Sequence, residues 1–128
     1  MTRDIISVQY PMIDNSQSIL SSKIIKSAVT PANGVSIQKA LANKNNTLMI
    51  CIENTADNDT GLTLKAGDNY PNSMLGDLKV VVLSGSLLAL QLQDIARFEN
   101  KDGSINIDFD TDFKGNIYAM AKSTGLNV

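Results

Sequence analysis

The clearest candidates for chemistry in this chain of 128 residues are three aspartates at alternate positions, Asp108, Asp110 and Asp112. Side chains two residues apart point to the same face of a β-strand, so these carboxylates are expected to lie side by side. Such a row would hold a hard cation or act as an acid/base pair, and neighbouring negative charges would raise the pKa of at least one member. The interpretation that we favour is a solvated strand face whose acids discourage pairing with another sheet edge.

A second acidic segment, residues 56–61, reads ADNDTG and resembles the start of a calcium-binding loop. In an EF-hand, Gly occupies the sixth and Glu the twelfth position of the loop. Counted from Asp57, these positions hold Leu62 and Asp68. We therefore interpret the segment as a polar hairpin loop, without a bound metal.

The chain contains no histidine and a single cysteine, Cys51. The usual general base, the Ser–His and Cys–His nucleophile pairs and the commonest metal ligand are therefore missing. Cys51 lies between Ile50 and Ile52 in a strand-like run, whereas a nucleophilic thiol needs a nearby cation or a helix N-terminus. We predict that Cys51 is a packing residue, and we expect neither enzymatic activity nor a cofactor.

Composition argues against several classes of partner. The net charge is −2, and only 5% of residues are aromatic, with no Trp. Proteins that bind DNA or RNA normally carry a basic surface, so we expect no nucleic-acid partner. No apolar run reaches the length of about 18 residues that a membrane-spanning helix needs, so we expect no membrane association. The lone cysteine and the absence of a signal-peptide pattern predict synthesis in a reducing cytoplasm.

Short β-like runs closed by turn signals fill the chain from residue 47 to residue 123. The runs read TLMICIEN, TGLTLKA, LKVVVLS, SLLALQL, SINIDFD and GNIYAMA, and Gly, Asn, Asp and Pro separate them. This pattern is typical of an all-β sandwich or barrel. The fold class that we predict is all-β: a compact β-sandwich, jelly-roll-like or Ig-like, with an extended N-terminal arm.

Three of these runs give specific structural predictions. Residues 78–84 are almost continuously apolar, which predicts a central strand covered on both faces. Ser84-Gly85 is a candidate tight hairpin turn, and Asp102-Gly103 supplies the positive-φ positions of a primed hairpin turn. The strand after the second turn alternates apolar and polar residues, and its buried face is predicted to hold Ile105, Ile107 and Phe109.

The chain divides into three regions. Residues 1–34 are rich in Ser and Ile and contain Pro11 and Pro31, so we interpret them as an N-terminal arm or as edge strands. Residues 35–122 form the predicted β-sandwich domain. Residues 123–128 are predicted to be a frayed tail.

Several motifs of the β domain follow a more specific pattern. Residues 46–54 form a run that opens with Asn-Thr and closes with Asn ahead of a loop. Residues 80–85 read V-V-V-L-S-G, Arg97-Phe98 follows, and residues 102–109 read D-G-S-I-N-I-D-F. Together these motifs resemble a family of small structural proteins of tailed bacteriophages, which are taken to be head decoration, or cement, proteins. The long Ser- and Ile-rich N-terminal segment departs from the family's pattern.

The resemblance implies a virion structural protein that binds the outside of a tailed-phage capsid and stabilises it. The implied partner is the major capsid protein, and the implied location is the exterior of the virion head. We also expect a homo-oligomer, with a trimer favoured, because symmetric closure covers exposed sheet edges. The alternatives are a tail or baseplate adaptor and a carbohydrate- or receptor-binding module. The only aromatic candidates for such a module are Tyr70, Phe98 and Tyr118.

The family has no catalytic motif to transfer, so the predicted site residues are contact residues only. The N-terminal region has many apolar residues without a clear fold of its own, which suits contact with the capsid or with another subunit. A loop around residues 65–71 adds two further candidates. The predicted contact residues are Ile5, Ile6, Val8, Ile19, Leu20, Ile24, Ile25, Lys65 and Tyr70.

Overall fold

The computed structural model describes residues 2–9, 24–38, 48–68, 76–91 and 97–121. These residues form β-strands and no α-helix, so the all-β prediction is confirmed. No described segment forms a helix long and apolar enough to cross a lipid bilayer. The strands are β1 (Asp4–Gln9), β2 (Ser27–Ala28), β3 (Val35–Gln38), β4 (Met49–Asn54), β5 (Thr60–Leu64), β6 (Leu78–Val82), β7 (Leu87–Gln91), β8 (Ile105–Phe109) and β9 (Gly115–Met120).

The strands form two sheets that one strand joins. Sheet A has the order β6-β5-β8-β3-β1, and sheet B has the order β1-β9-β4-β7, with β2 also paired to β9. Neighbours are antiparallel except for β1, which is parallel to both β3 and β9. Because β1 belongs to both sheets, the strands form a nearly closed, sandwich-like barrel that opens between β6 and β7.

Part of the N-terminal region belongs to this barrel. Asp4 to Ser7 pair with β3, and Val8 and Gln9 pair with β9. The Asn33 side-chain amide also donates to Asp4, 3.1 Å away, and fixes the start of β1. The expected extended arm is therefore a paired strand over residues 4–9, at the edge of each sheet.

The core lies between the two sheets and follows the period-two alternation of the strands. In β8 and β9 the inward residues are buried and the outward residues are half-buried. Burial of each large aliphatic side chain contributes roughly 1.5–3 kcal/mol. Phe109 and Phe113 meet beside this core with their ring centroids 4.8 Å apart. The largest core residues with at most 2% exposure are Val35, Ile37, Leu48, Ile50, Ile52, Leu62, Leu64, Val82, Ile105, Ile107, Phe113 and Ile117.

A hairpin turn forms where it was predicted, but it is not the expected primed turn, because its central residues are Lys101 and Asp102 and Gly103 follows them. Gly103 has a φ of 83°, and its N–H donates to the Asn100 carbonyl oxygen at 2.9 Å. The Asn100 N–H in turn donates to the Ser104 carbonyl oxygen, and Glu99 forms a β-bridge with Ile105. The predicted alternation beyond the turn is also confirmed, because the three apolar residues of β8 face the core.

Two other predictions from the same part of the chain are wrong. Residues 78–82 form β6, which pairs with β5 alone among the described strands, and Val81 is 59% exposed. An apolar run does not by itself distinguish a central strand from an edge strand. The turn at Ser84-Gly85 exists, with φ of 72° at Gly85, but it joins no hairpin. It carries the chain from β6 in sheet A to β7 in sheet B, which pairs with β4.

A buried asparagine holds the two sheets together beside this turn. Asn54 is fully buried at the end of β4 in sheet B. Its side-chain amide donates to the Val82 carbonyl oxygen of sheet A at 2.9 Å and to the Asn58 carbonyl oxygen at 3.1 Å. Its side-chain oxygen accepts the Ala56 N–H at 2.8 Å. Since Asn54 belongs to sheet B and Val82 to sheet A, this side chain fixes where the two sheets meet.

Candidate functional site

The outer face of sheet A is polar and its charges are paired. Asp108 lies beside Thr63 in the register of β8 and β5 and forms an ion pair with Arg3. Lys65 lies 4.0 Å from Asp108 and 2.7 Å from Asp77. The Asp77 hydrogen bond and charge raise the pKa of Lys65, which keeps this amine protonated. A protonated amine is not a nucleophile, so Lys65 acts as an ion-pair partner.

The row of three aspartates does not form. Asp108 and Asp110 each have a cation beside them, since Lys79 lies 3.9 Å from Asp110. Asp112 follows the end of β8 and instead accepts hydrogen bonds from the Thr60 hydroxyl and the Asn58 side-chain amide. These bonds hold the pKa of Asp112 below its ordinary value, the opposite of the rise expected for adjacent carboxylates. Among the described residues, no group of acids or thiols has the geometry of a metal site.

The loop of residues 55–59 is held by hydrogen bonds from the protein. The Ser84 N–H donates to a side-chain oxygen of Asp59 at 2.8 Å, and the Ser84 hydroxyl donates to the Ala56 carbonyl oxygen at 2.6 Å. Asn54 closes the loop from the other side. The segment is a polar loop, as expected, but the predicted hairpin is wrong, because the loop carries the chain from β4 in sheet B to β5 in sheet A.

Cys51 lies on the outer face of sheet B, opposite Ala89 on β7 and Tyr118 on β9. It is 3% exposed, and burial raises the pKa of its thiol, although a hydrogen bond with Tyr118 acts in the other direction. A raised pKa leaves little thiolate near neutral pH. The structure therefore agrees with a packing role for Cys51.

Exposed apolar side chains mark the place where the barrel opens. Val81, Leu83 and Leu87 are 59%, 61% and 55% exposed, and they lie before and after the turn between β6 and β7. We call these three residues the edge patch. Large exposed aliphatic side chains at an open sheet edge are typical of a surface that another chain covers. The apolar run of residues 78–84 predicts a strand buried on both faces, so the sequence does not indicate the exposure of Val81 and Leu83.

The contact residues predicted from the sequence are divided between core and surface. Ile6 is 7% exposed and, with the half-buried Val8, packs into the core. Ile5 and Ile25 are each 66% exposed and line a cavity of about 200 Å³ together with Tyr118. The remaining described residues, Ile24 and Lys65, are half-buried, whereas Ile19, Leu20 and Tyr70 lie outside the described residues.

A larger open depression of about 640 Å³ lies between the outer face of sheet A and the turn at residues 100–104. Hydroxyl, amide and charged groups line most of it, including Arg3, Gln38 and Asn106. No aromatic side chain is among its described lining residues. Phe98 is unavailable for stacking on a sugar because it is 3% exposed and the Arg97 guanidinium lies 5.1 Å above its ring.

Comparison with known proteins gave no relative. No protein-family model matches the chain, and neither a curated protein nor a solved structure matches it.

Proposed function

We propose that this protein is a structural protein of a tailed-phage virion that binds the outside of the capsid. The observation that carries the proposal is the edge patch, an exposed apolar surface on a small β-barrel. Burying one large aliphatic side chain contributes roughly 1.5–3 kcal/mol, so the two leucines and the valine would supply the apolar part of a binding surface. The phage assignment itself comes from the motifs of residues 46–54, 80–85 and 102–109.

These motifs occupy structurally central positions, which supports the proposal. Residues 102–109 form the hairpin turn and β8, which lies between β5 and β3 in sheet A. Residues 49–54 form β4, which lies between β9 and β7 in sheet B. Residues 80–85 complete β6 and the turn at which the edge patch lies. The resembling motifs thus supply the middle of both sheets and the proposed contact surface.

The partner in this proposal is the major capsid protein, and the location is the exterior of the virion head. The charged outer face of sheet A then faces solvent, because its ion pairs are already satisfied within the chain. The exposed Ile5 and Ile25 lie near β1 and β2, away from β6 and β7, and form a separate candidate contact surface. The trimer expected from the sequence stays a prediction, and the dimer proposed below is the alternative to it.

The test is co-sedimentation of the purified protein with capsids that lack it. We expect saturable binding at a fixed, simple ratio to the shell protein. The variant Leu83→Asp should bind at least tenfold more weakly, because one buried leucine accounts for more than about 1.4 kcal/mol. The matched control is Thr111→Asp, an exposed substitution in the turn between β8 and β9, which should bind like the wild type.

Failure of the wild-type protein to bind capsids would contradict the proposal. Binding to purified tails in the same assay would instead support the tail or baseplate alternative. Binding to capsids that Leu83→Asp leaves unchanged would exclude the edge patch as the contact surface.

The polar depression on sheet A favours one second candidate, a receptor- or carbohydrate-binding module. Its hydroxyl and amide groups match the hydrogen-bonding groups of a sugar, although no described lining residue provides an aromatic platform. Glycan-array binding that Asn106→Ala abolishes would support this candidate. An array without a signal would exclude it for the glycans tested.

A further inference from the structure

The second open edge of the barrel, strand β7, has a sequence unlike that of a protected edge strand. One side of Leu87–Gln91 pairs with β4 along its whole length, and the other side has no partner among the described strands. Natural edge strands are usually protected by charged residues or proline. The sequence of β7 is LLALQ, which contains neither. The edge strand β6, in contrast, carries Lys79 with a side chain that is 66% exposed.

The backbone groups that β7 presents at this edge can be identified. The Asn54 N–H donates to the Ser86 carbonyl oxygen at 2.9 Å, immediately before β7. Partners alternate along an antiparallel ladder, so Leu88 and Leu90 direct their amide groups to β4. Leu87, Ala89 and Gln91 therefore direct their N–H and C=O groups away from β4, toward the unpaired edge.

These outward groups are complementary to themselves about Ala89. In an antiparallel pair, two directly opposed residues of the hydrogen-bonded type exchange both N–H···O=C bonds. If two copies of β7 meet with Ala89 opposite Ala89, then Leu87 lies opposite Gln91 on both sides. Every outward-directed N–H and C=O group of both strands is then used.

The side chains fit the same register. Ala89 opposes a small residue, and Leu87 packs over the aliphatic part of Gln91 on the outer face. Leu88 lies opposite Leu90 on the inner face. Directly opposed like charges destabilise cross-strand pairs. No charged residue occurs on β7, so the pair contains no such repulsion.

We propose that β7 pairs with β7 of a second copy of this chain, in an antiparallel dimer with two-fold symmetry centred on Ala89. The two copies of sheet B then form one continuous sheet, and the unprotected edge disappears. The partner is a second copy because the outward amide groups and the uncharged side chains of β7 are complementary to themselves about Ala89, so the pair leaves no outward group of either strand unbonded. The inference does not depend on capsid binding; in the dimer Leu87 contacts the second copy, and Val81 and Leu83 remain for contact with a capsid.

The test is the molar mass of the protein in solution, measured by light scattering and sedimentation velocity over a concentration series. We expect twice the chain mass for the wild type. Ala89→Lys places two lysines opposite each other at the symmetry axis and should weaken the dimer by about fivefold, because directly opposed like charges are destabilising. Ala28→Lys changes an exposed alanine on β2 in the same way and should leave the dimer intact.

A second variant tests the hydrogen bond donated by the outward N–H group of residue 89. Ala89→Pro removes the outward N–H while leaving the bonds to β4 in place, since proline is tolerated on an edge strand whose N–H faces outward. It should give a monomer with an unchanged β-type circular dichroism spectrum. If this variant fails to fold, hydrogen exchange of the Ala89 amide in the wild-type protein provides the same information. Strand pairing should slow the exchange of this amide at least about tenfold when the protein concentration is raised from mostly monomer to mostly dimer.

Three results would overturn the proposal. The first is a wild-type protein that stays monomeric up to about 500 µM. The second is a trimer, since an antiparallel pair of identical strands closes with two copies. The third is a dimer that Ala89→Lys does not weaken.

Discussion

Replacing Asn54 should cost more stability than replacing any other asparagine of the described residues. Its side chain donates to two carbonyl oxygens and accepts one N–H, all within a fully buried site. Each hydrogen bond contributes about 1 kcal/mol net, and a buried partner left unsatisfied adds a penalty of its own. For Asn54→Ala we expect a loss of roughly 3 kcal/mol in the free energy of unfolding. This corresponds to a fall of about 10–15 °C in Tm for a domain of this size.

The substitution Asn54→Asp adds a dependence on pH whose sign follows from the site. The introduced carboxylate would face the carbonyl oxygens of Val82 and Asn58 in a buried environment, which raises its pKa in the folded protein. In the unfolded chain its pKa is about 3.9. Below pH 4 both states hold the proton, and the protonated carboxyl group can still donate one hydrogen bond. As the pH rises, the unfolded state ionises first, so stability relative to the wild type falls until the folded pKa is passed.

A shift of about two pH units would make Asn54→Asp roughly 3 kcal/mol less stable, relative to the wild type, at pH 7 than at pH 3.5. The assay is urea denaturation of wild type and variants at both pH values, followed by circular dichroism. Asn58→Ala is the matched control, because the side-chain hydrogen bonds that it removes, such as the one to Asp112, are solvent-exposed, while its carbonyl oxygen still accepts from Asn54. It should change stability by less than about 1 kcal/mol. The reasoning is refuted if Asn54→Ala costs under about 0.5 kcal/mol, or if Asn54→Asp responds to pH as the wild type does.

The other predictions concern packing, titration and reactivity. A Cβ atom at Gly61 would lie 2.1 Å from the Val80 carbonyl oxygen, so Gly61→Ala should separate β5 from β6 and lower stability by at least about 2 kcal/mol, measured by thermal unfolding. Hydrogen bonds from Thr60 and Asn58 lower the pKa of Asp112, so its stabilising effect is present above its unfolded pKa and disappears as the pH falls through the folded pKa. Asp112→Ala should therefore destabilise the protein at pH 7 but not at pH 2, in parallel denaturation curves. The buried thiol of Cys51 should react with a disulfide reagent at least about 100-fold more slowly in the folded protein than in urea.

Much of the local structure could be predicted from the sequence because it depends on neighbouring residues. The alternation of Ile105, Ile107 and Phe109 with polar residues is sufficient to orient β8, since side chains alternate strictly along a strand. Asp102-Gly103 is sufficient to specify a turn, since few residue pairs adopt its backbone angles. The packing role of Cys51 followed from its two isoleucine neighbours. All three predictions use residues that are close together in the chain.

The candidate surfaces could not be predicted in the same way. The apolar composition of the N-terminal region predicts contact residues there, but the structure buries Ile6 and packs the half-buried Val8 against the core. It exposes Val81 and Leu83 instead, in a run whose composition predicts burial on both faces. Whether an apolar strand is central or at an edge depends on its number of neighbours, and those neighbours are distant in sequence.

The sequence by itself determined the strand character of most segments, the main turns and the absence of histidine chemistry, because these follow from residue types and local spacing. The tertiary structure alone decided which strands pair. In that structure the chain passes from β6 in sheet A to β7 in sheet B, Asp112 lies beyond the end of the strand that holds Asp108, and Asn54 is buried where the sheets meet. The physical reason is that strand pairing and burial are set by contacts between residues far apart in the chain, and alternation within a strand does not encode them.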